Sequence, residues 1–420
     1  MVVSTMYDKI HLLVIASLAA PLSVVAQQCP LSVVSVGDAQ VETLRYSRME
    51  LAVDLLRSVT SQDPTQNVFL SPYSIFSAFQ LLFFATSGYS EKIMRTFLHI
   101  PHNLTKNDVV GIYALDRQQN EQNYTNDYEL DSANKLYIQQ DLDIRDCVKH
   151  IFPKEYSTAD FKNDLELSRK NINKWVERQT KNLIVDCIPE GFLDKNTSLL
   201  MVNAVYFKGL WKSRFNKDKT SPEYFHMADG SRRLTEMMNT QSSVRAVFSS
   251  SYGIHGLELP YEGDDISMFI ILPEQSHATA VQDLLRSLTY ERLEMILSEI
   301  LDSPLKKMDI TIPKFKTENK YNLVPILKDL GADKLLEFVD LSDFVKTFND
   351  FKVDKAIHTA KIVVDEQGTE AVAVTVVKAT KTRSYIREHY TVFRADRPFL
   401  YFIYNTVTRT LLFSGVFNSP

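Results

Sequence analysis

The sequence predicts one α+β domain, in which helices come first, helices and strands alternate in the middle, and strands end the chain. Two further observations carry this prediction. No internal repeat, low-complexity block or linker divides the 420 residues. The 45% hydrophobic content is that of an ordinary globular protein, and a chain of this length can bury a core of its own.

The predicted helices follow from the spacing of apolar residues. Val41–Thr60 has the three- and four-residue spacing of an amphipathic helix, and Asp63 and Pro64 end it. Ser71 is placed to cap a second helix, with proline in its first turn. Further helical segments are Ser168–Ile184, Val281–Ile300 and Asn322–Lys334.

The predicted strands are short runs rich in apolar and β-branched residues. The longest, Ser198–Leu210, contains the unbroken apolar run Leu199–Val202, which is typical of a strand buried on both faces. Asn203 is an unexpected polar residue in that strand. The other predicted strands are Ile254–Leu259, Ile266–Leu272, Met308–Phe315, Ala356–Val364, Pro398–Asn405 and Thr408–Phe417.

The N-terminus has the pattern of a secretory signal peptide. Ile10–Ala26 is apolar but short and interrupted, and Val24 and Ala26 are the small residues of a cleavage site before Gln27. A buried N-terminal helix is the alternative. We therefore expect a signal peptide at 1–26, a domain at 27–420 and secretion to the extracellular space. No later segment has about 18 consecutive apolar residues, so no membrane anchor is expected.

Sequons and cysteines are the features that secretion would affect. Three N-x-[ST] sequons, at Asn103, Asn123 and Asn196, are candidate glycosylation sites. The three cysteines are an odd number, so they cannot all pair within the chain, and the sequence leaves their pairing open. They are also too few for a disulfide scaffold. The cysteines are Cys29, Cys147 and Cys187.

Charge and motifs disfavour several functions. The net charge of −5 is not that of a nucleic-acid-binding domain. Among only 12 glycines there is no phosphate-binding loop, and no nucleophile elbow or H-E-x-x-H motif is present. His99 and His102 flank a proline, which undermines a zinc site on a helix. We therefore expect no enzymatic activity, no metal and no cofactor.

A long segment near the C-terminus is unlike the rest of the chain. Asp365–Thr380 alternates like a strand but lacks bulky core residues, and Lys381–Arg394 is charged and polar. Long exposed loops in compact domains are usually functional.

This segment resembles the reactive-loop hinge of the serpin family, in the sequence IHTAKIVVDEQGTEAVAVT (Ile357–Thr375). Five other blocks resemble the family in the family's order, so that the likeness extends from about residue 41 to residue 420. They are NVFLSPYSI (Asn67–Ile75), MVNAVYFKGLW (Met201–Trp211), LELPYEGDDISMFIILPE (Leu257–Glu274), IPKFK (Ile312–Lys316) and FRADRPFLYFI (Phe393–Ile403).

The resemblance implies a single serpin domain with three β-sheets, about nine helices and an exposed reactive-centre loop at about 366–393. It also implies suicide inhibition of a serine protease, with a covalent acyl-enzyme followed by insertion of the cleaved loop into the main sheet. We expect a monomer without nucleic-acid partners. The few mixed charges at 91–104 predict no glycosaminoglycan site. A carrier, chaperone or storage protein on the same fold is the alternative.

The side chains of the predicted loop suit insertion. From Gly368 onward one face has Thr369, Ala371, Ala373 and Thr375, which are all small. The other face has valines, which favour strand, and we expect them on a more exposed side. An ordinary half-buried strand would instead put its bulky side chains inward. The predicted hinge consists of Gly368, the four small residues of the first face, and two acidic residues, Glu366 and Glu370.

The bond cleaved by the protease is predicted at Arg383–Ser384, because arginine suits the acidic specificity pocket of a trypsin-like enzyme. The family's spacing from Gly368 points instead to Thr382, so Thr382–Arg383 is the second choice. These residues could equally be solvated loop charges.

Two polar clusters are implied by the resemblance. The four residues that match the family's shutter, beneath the part of the sheet that must open, are Ser71, Ser74, Asn203 and His358. Trp211, Lys314 and Glu366 match the breach at the top of the sheet, and we expect an ion pair between the last two.

Overall fold

The computed structural model describes residues 29–122, 128–346, 351–353, 355–369 and 389–420. These residues form both helices and sheets, and the predicted α+β class is confirmed. The helices are α1 (Asp38–Gln62), α2 (Pro72–Ala85), α3 (Gly88–Phe97), α4 (Lys106–Gln122), α5 (Asp146–Ile151), α6 (Leu165–Gln179), α7 (Ala280–Ser287), α8 (Tyr290–Asp302) and α9 (Val324–Asp329).

Fifteen strands lie within the same described ranges. They are β1 (Val68–Leu70), β2 (Tyr128–Gln139), β3 (Tyr156–Ala159), β4 (Leu199–Leu210), β5 (Ser221–His226), β6 (Arg232–Ser249), β7 (Ile254–Pro260), β8 (Ile266–Pro273), β9 (Leu305–Pro313), β10 (Phe315–Asn322), β11 (Lys355–Val364), β12 (Gly368–Thr369), β13 (Thr391–Arg394), β14 (Phe399–Asn405) and β15 (Thr410–Phe417).

In the described part of the chain the strands form two sheets, one of nine strands and one of six. One sheet has six strands in the order β10-β11-β12-β4-β2-β3. The nine-stranded sheet has the order β1-β15-β14-β8-β7-β6-β9-β13, and its ninth strand, β5, pairs with β6. Along β6, residues 246–249 pair with β7 and residues 237–245 pair with β9, so β6 passes from one ladder into the next.

The six-stranded sheet is buried on both faces. Leu200 and Val202 of β4 pack with Ile172 and Val176 of α6 on one face. Phe207, further along β4, points to the opposite face and packs among residues of the second sheet. Nine consecutive residues of β4 are buried. Burial on both faces explains why this strand reads as an apolar run.

Several segment predictions differ from the structure at their ends or breaks. The helix predicted at Asn322–Lys334 spans only Val324–Asp329, and Gly331 has a left-handed φ of 80° just beyond it. The segment Val281–Ile300 contains two helices, because the Thr289 hydroxyl accepts a hydrogen bond from the Arg292 N–H at 3.2 Å and starts a new helix. The helix predicted to Ile184 ends at Gln179, and the left-handed φ angles of Lys181 and Asn182 turn the chain away.

The strand predicted at Met308–Phe315 also divides. β9 ends at Pro313, and Phe315 begins β10 in the other sheet. Lys314 joins the two sheets, with its backbone N–H donating to the Glu236 carbonyl at 2.8 Å. This transfer between sheets brings the Lys314 side chain to the candidate site described below.

Cys29 and Cys147 form a disulfide that ties the segment before α1 to α5. Their separation of 118 residues gave no sign of this pairing. Cys187 is a buried free thiol. In the described part of the chain, no helix is both long and apolar enough to cross a membrane.

Candidate functional site

The six-stranded sheet opens at one end, where β11 and β4 separate. Lys355–Lys361 of β11 pairs in parallel with Leu200–Tyr206 of β4. Beyond that point the short strand β12 lies between them. Its Thr369 is opposite Val364 of β11 and Gly209 of β4, antiparallel to both. The start of the predicted hinge is therefore already a strand of this sheet.

This position corrects the expected boundaries of the exposed loop. Residues 366–369 are buried, although they were expected to be exposed. At the other end of the predicted range, Thr391–Arg394 forms β13, which pairs in parallel with β9. Because β12 and β13 are hydrogen-bonded to neighbouring strands, the residues at both ends of the predicted range belong to the sheets and not to the exposed loop. The other predicted loop residues, Glu370, Ala371, Ala373, Thr375, Thr382, Arg383 and Ser384, lie outside the described residues.

Gly368 is required by close packing. A Cβ atom built on it would lie 2.1 Å from the Gly209 carbonyl oxygen and 2.7 Å from the Leu210 Cα. Its φ is not in the left-handed region. Backbone atoms of β4 thus exclude any side chain at Gly368, and the glycine allows β12 to approach β4.

Aromatic residues support the other side of β12. The Tyr261 and Trp211 rings stack with centroids 4.6 Å apart. The Tyr261 hydroxyl and the buried Thr369 hydroxyl share a hydrogen bond of 2.7 Å. Trp211 binds the segment before β12 through its indole N–H, which donates to the Asp365 carbonyl at 2.9 Å, and through its backbone N–H, which donates to the Gln367 carbonyl at 2.9 Å.

Glu366 is the charged residue of this cluster. Its Oε2 accepts a hydrogen bond from Lys314 Nζ at 3.1 Å, and its Oε1 accepts one from the Thr220 hydroxyl at 2.9 Å. Burial opposes ionisation of Glu366, but hydrogen bonds from its backbone, Lys314 and Thr220 outweigh that effect and lower its pKa below the ordinary value of 4.5. The Glu366 side chain is 4% exposed and that of Lys314 is 38% exposed, so only the carboxylate is deeply buried.

The four predicted shutter residues lie together beneath the parallel pair. The Ser71 hydroxyl donates to the Leu412 carbonyl at 2.7 Å and accepts from the Ser74 N–H at 3.1 Å, capping α2. The Asn203 amide donates to the Ser74 hydroxyl at 2.6 Å and to its carbonyl at 2.9 Å. His358 lies opposite Asn203 in the sheet and hydrogen-bonds to its side chain.

Hydrogen bonds determine which nitrogen of His358 carries the proton. The Ser71 N–H donates to Nε2 at 3.2 Å, so Nε2 is the acceptor. Nδ1–H therefore donates to the Asn203 Oδ1. Complete burial lowers the pKa of His358 from 6.5 to about 3, and the ring is neutral in the folded protein.

Asn134 of β2 completes this cluster, and the sequence analysis did not find it. Its Oδ1 accepts hydrogen bonds from the Ser74 hydroxyl at 3.0 Å and from the Asn203 amide. Asn134 is opposite Asn203, which in turn is opposite His358, so one polar row crosses β2, β4 and β11. A polar residue in β2 carries no local signal of this role, because only strand pairing brings it to the cluster.

The predicted glycosylation positions are only partly described. Asn103 and Asn196 are exposed, whereas Asn123 lies outside the described residues. No group of three or more histidine, cysteine or acidic side chains suited to a metal ion occurs in the described ranges.

Comparisons with known proteins place this architecture among its relatives. A family model, Serpin (serine protease inhibitor), matches residues 46–420. The leukocyte elastase inhibitor of Homo sapiens is 32% identical over 391 residues, covering 90% of this chain and 100% of that protein. Serine protease inhibitor 88Ea of Drosophila melanogaster is 29% identical over 398 residues, covering 90% of this chain and 91% of that protein.

Solved structures agree in fold. Maspin superposes with a TM-score of 0.81 at 24% identity, covering 91% of this chain and 100% of that structure. Uncleaved ovalbumin superposes with a TM-score of 0.78 at 23% identity, covering 90% and 100%. At this identity the likeness supports the fold alone.

Proposed function

The chain belongs to the serpin family, and on that premise we propose that it is a secreted inhibitor that traps a trypsin-like serine protease in a covalent complex. The family's members are serine protease inhibitors rather than catalysts, which fits the absence of a catalytic motif in the sequence. The proposal adds three specific points to this family assignment: suicide trapping, the trypsin-like target and secretion.

The proposed reaction begins as ordinary proteolysis. The protease serine attacks the carbonyl carbon of Arg383, and the peptide bond to Ser384 breaks. Arg383 is then held as an ester on the protease, while Ser384 leaves with a new amino group. Inhibition requires that the loop insert into the six-stranded sheet before water hydrolyses that ester.

One observation carries the trapping mechanism: β12 already lies between β11 and β4. A segment continuing from Thr369 would extend this strand along both neighbours. Full insertion must separate the seven residue pairs that join Lys355–Lys361 to Leu200–Tyr206. Each broken strand pairing is replaced by pairing with the inserted segment, because the new strand would bind on both of its edges.

The observed register predicts where each loop residue would arrive. Thr369 is opposite Gly209 and Val364. Antiparallel continuation by six residues would place Thr375 between Asn203 and His358, which are now opposite each other. The small face of the loop would thus arrive above the shutter cluster.

The same register revises the expectation for the valine face. Val374 and Val376 would arrive beside Ala204 and Val202, which are buried beneath α6. The sequence pattern instead predicts a more exposed side for these valines. Burial there is consistent with apolar residues, because an inserted polar side chain would lose its water without gaining a partner.

Incubation with trypsin tests the proposal. We expect an SDS-stable complex, cleavage after Arg383 by mass spectrometry, and a more heat-stable protein once the loop is cut. Cleavage without complex or stabilisation would support the carrier, chaperone or storage alternative. Cleavage after Thr382 would retain the mechanism and move the bond.

Secretion and glycosylation form a separate part of the proposal. We expect a secreted chain that begins at Gln27 and has an N-glycan on at least one of the sequons at Asn103, Asn123 and Asn196. N-terminal sequencing and peptide mapping after glycosidase treatment measure both. A secreted chain that retains residues 1–26 would contradict the signal peptide.

A further inference from the structure

The segment before α1 is held at both of its ends. It covers residues 29–37, which form neither helix nor strand, and we call it the strap. At one end Cys29 is joined to Cys147 of α5 by the disulfide, and at the other end the strap continues directly into α1. The strap is thus a short covalent link between two helices that the main chain connects only by a long route.

Between its ends the strap lies along α4. The Ser32 N–H donates to the Asn107 side-chain oxygen at 3.0 Å. A Cβ atom built on Gly111, inside α4, would lie only 2.4 Å from the Val34 carbonyl oxygen. Glycine inside a helix is less favourable than alanine, and here its missing side chain is what lets the strap lie against the helix. Leu31 is buried in the main core, so the strap is part of the folded body.

One half of the six-stranded sheet is fixed to the nine-stranded sheet. The Asn319 side chain of β10 accepts a hydrogen bond from the Phe69 N–H at 2.8 Å and donates one to the Asn67 carbonyl at 3.2 Å. Phe69 belongs to β1, an edge strand of the nine-stranded sheet. β11 pairs with β10 along its length. Both β10 and β11 are therefore held to the nine-stranded sheet.

The other half, formed by β4, β2 and β3, must move if the sheet opens between β11 and β4. β2 pairs with β4 from Tyr128 to Ile138, and β3 pairs with β2. α4 precedes β2, and α5 lies in the connection between β2 and β3. A shift of β4 away from β11 therefore carries β2 and α5 with it.

Two kinds of contact oppose that shift at α5. Arg145, just before α5, donates its backbone N–H to the Phe344 carbonyl at 2.8 Å and its Nε–H to the Ser342 carbonyl at 2.8 Å. Hydrogen bonds of this kind can break and be replaced by bonds to water. The bond from Cys147 to Cys29 cannot, and the strap leads to α1, which packs against β15 of the nine-stranded sheet.

We propose that the strap and its disulfide form a tether that slows opening of the six-stranded sheet, and that a dithiol reductant releases it. The inference rests on the proposed insertion mechanism. Both Cys29 and Cys147 are partly exposed, so a dithiol can reach them. The dithiol gives up two electrons and two protons and closes into a cyclic disulfide, while Cys29 and Cys147 become thiols. Cys187 is buried and takes no part in this exchange.

Peptide binding to the intact protein measures sheet opening without a protease. The probe is a fluorophore-labelled peptide with the sequence of residues 371–380, which would add between β11 and β4 as an extra strand. We expect its association, followed by fluorescence anisotropy, to be about threefold to tenfold faster after reduction with dithiothreitol, because local opening then no longer strains a covalent link. Cys29→Ser/Cys147→Ser should bind the peptide as fast as the reduced wild type.

Two further variants separate the tether from general stability. Insertion of Gly-Ser-Gly-Ser after Val33 keeps the disulfide but lengthens the strap, and it should accelerate peptide binding as reduction does. Leu285→Ala is the matched control. It removes a buried side chain from α7, outside the strap and the six-stranded sheet, and so destabilises the fold without releasing the tether. Leu285→Ala should bind the peptide at the wild-type rate.

Equal association rates for the oxidised and reduced proteins would overturn the tether and leave the insertion mechanism standing, because the peptide still enters the sheet. A lengthened strap that binds as slowly as the wild type would also contradict a tether. So would acceleration by Leu285→Ala as large as that by reduction, since lost stability would then explain the effect. No association with any form would refute insertion and the tether together.

Circular dichroism shows that each form is folded at the temperature of the measurement. If Cys29→Ser/Cys147→Ser does not fold, reduction of the folded wild type gives the same comparison.

Discussion

Gly368 of β12 and Gly209 of β4 lie so close together that a Cβ atom on Gly368 would be 2.1 Å from the Gly209 carbonyl oxygen. The contact joins the first residue of β12 to the C-terminal end of β4. A methyl group there can be accommodated only if the two backbones separate, which is the opposite of what insertion requires.

Gly368→Ala should therefore shift the reaction from trapping to hydrolysis. We expect more cleaved inhibitor per complex formed, because slower insertion gives water time to reach the ester. Densitometry of complex and cleaved bands at several protease ratios measures this partition.

Gly191→Ala is the control for that variant. Gly191 has no atom within 4 Å of a built Cβ but has a φ of +75°, so alanine there adds backbone strain of about 1 kcal/mol away from the hinge. If both variants trap protease equally well, the close contact at Gly368 has no role in insertion.

Thr375→Glu should block insertion further along the strand. If the loop inserts in the register of β12, this side chain would arrive between His358 and Asn203, where a carboxylate would be buried without a cation. We expect a substrate in place of an inhibitor, measured by the same partition. Thr380→Glu is the matched control, because its register position precedes the first residue of β4. Full trapping by Thr375→Glu would refute the proposed register.

The Glu366 carboxylate should stabilise the hinge in a pH-dependent way. Its folded pKa is below 4.5, so its stabilising effect is present above pH 4.5 and is lost as the pH falls through the folded pKa. The stability difference between wild type and Glu366→Gln should be constant near neutrality and shrink in acid. Urea unfolding at a series of pH values measures it.

Lys314→Met removes the cation and leaves that carboxylate with Thr220. We expect a loss of about 1–3 kcal/mol. This is less than the roughly 3–5 kcal/mol expected for a fully buried pair, because the Lys314 side chain is 38% exposed. An unchanged urea midpoint would show that solvent replaces Lys314 fully.

His358 should make the protein less stable in mild acid. Its pKa is about 3 when folded and 6.5 when exposed, so the unfolded chain takes up a proton first as the pH falls. Between pH 7 and pH 5 this linkage should remove about 2 kcal/mol, before most carboxylates titrate. His358→Gln should lose that dependence, and His277→Gln should retain it. Equal slopes in all three proteins would rule out a neutral buried His358.

Asn134→Ala tests the residue that completes the shutter cluster. The change removes the oxygen that accepts hydrogen bonds from the Ser74 hydroxyl and the Asn203 amide. We expect the free energy of unfolding to fall by about 1–3 kcal/mol. In a double-mutant cycle with Ser74→Ala the two effects should not add, since the residues share a hydrogen bond. Strict additivity would show that Asn134 acts independently of Ser74.

The sequence alone was sufficient for features that depend on local pattern. The α+β class, the cap of α2 at Ser71 and the doubly buried strand containing Asn203 follow from residue spacing, because spacing determines which face of an element is apolar. The order of the family blocks identified the serpin fold by resemblance. The same local evidence could not reveal the break at Thr289, where a side-chain cap interrupts one continuous apolar period.

Tertiary structure alone decided how distant residues meet. The partners Cys29 and Cys147, the acceptor Asn134 and the ion pair geometry at Lys314 all depend on strand order and on the transfer of the chain between sheets. It also decided why residue 368 is glycine. The sequence indicated only that Gly368 belongs to a hinge, whereas packing against Gly209 shows that the missing side chain is what lets β12 enter the sheet. Close approach of two backbones is a property of the folded sheet, and no spacing along the chain encodes it.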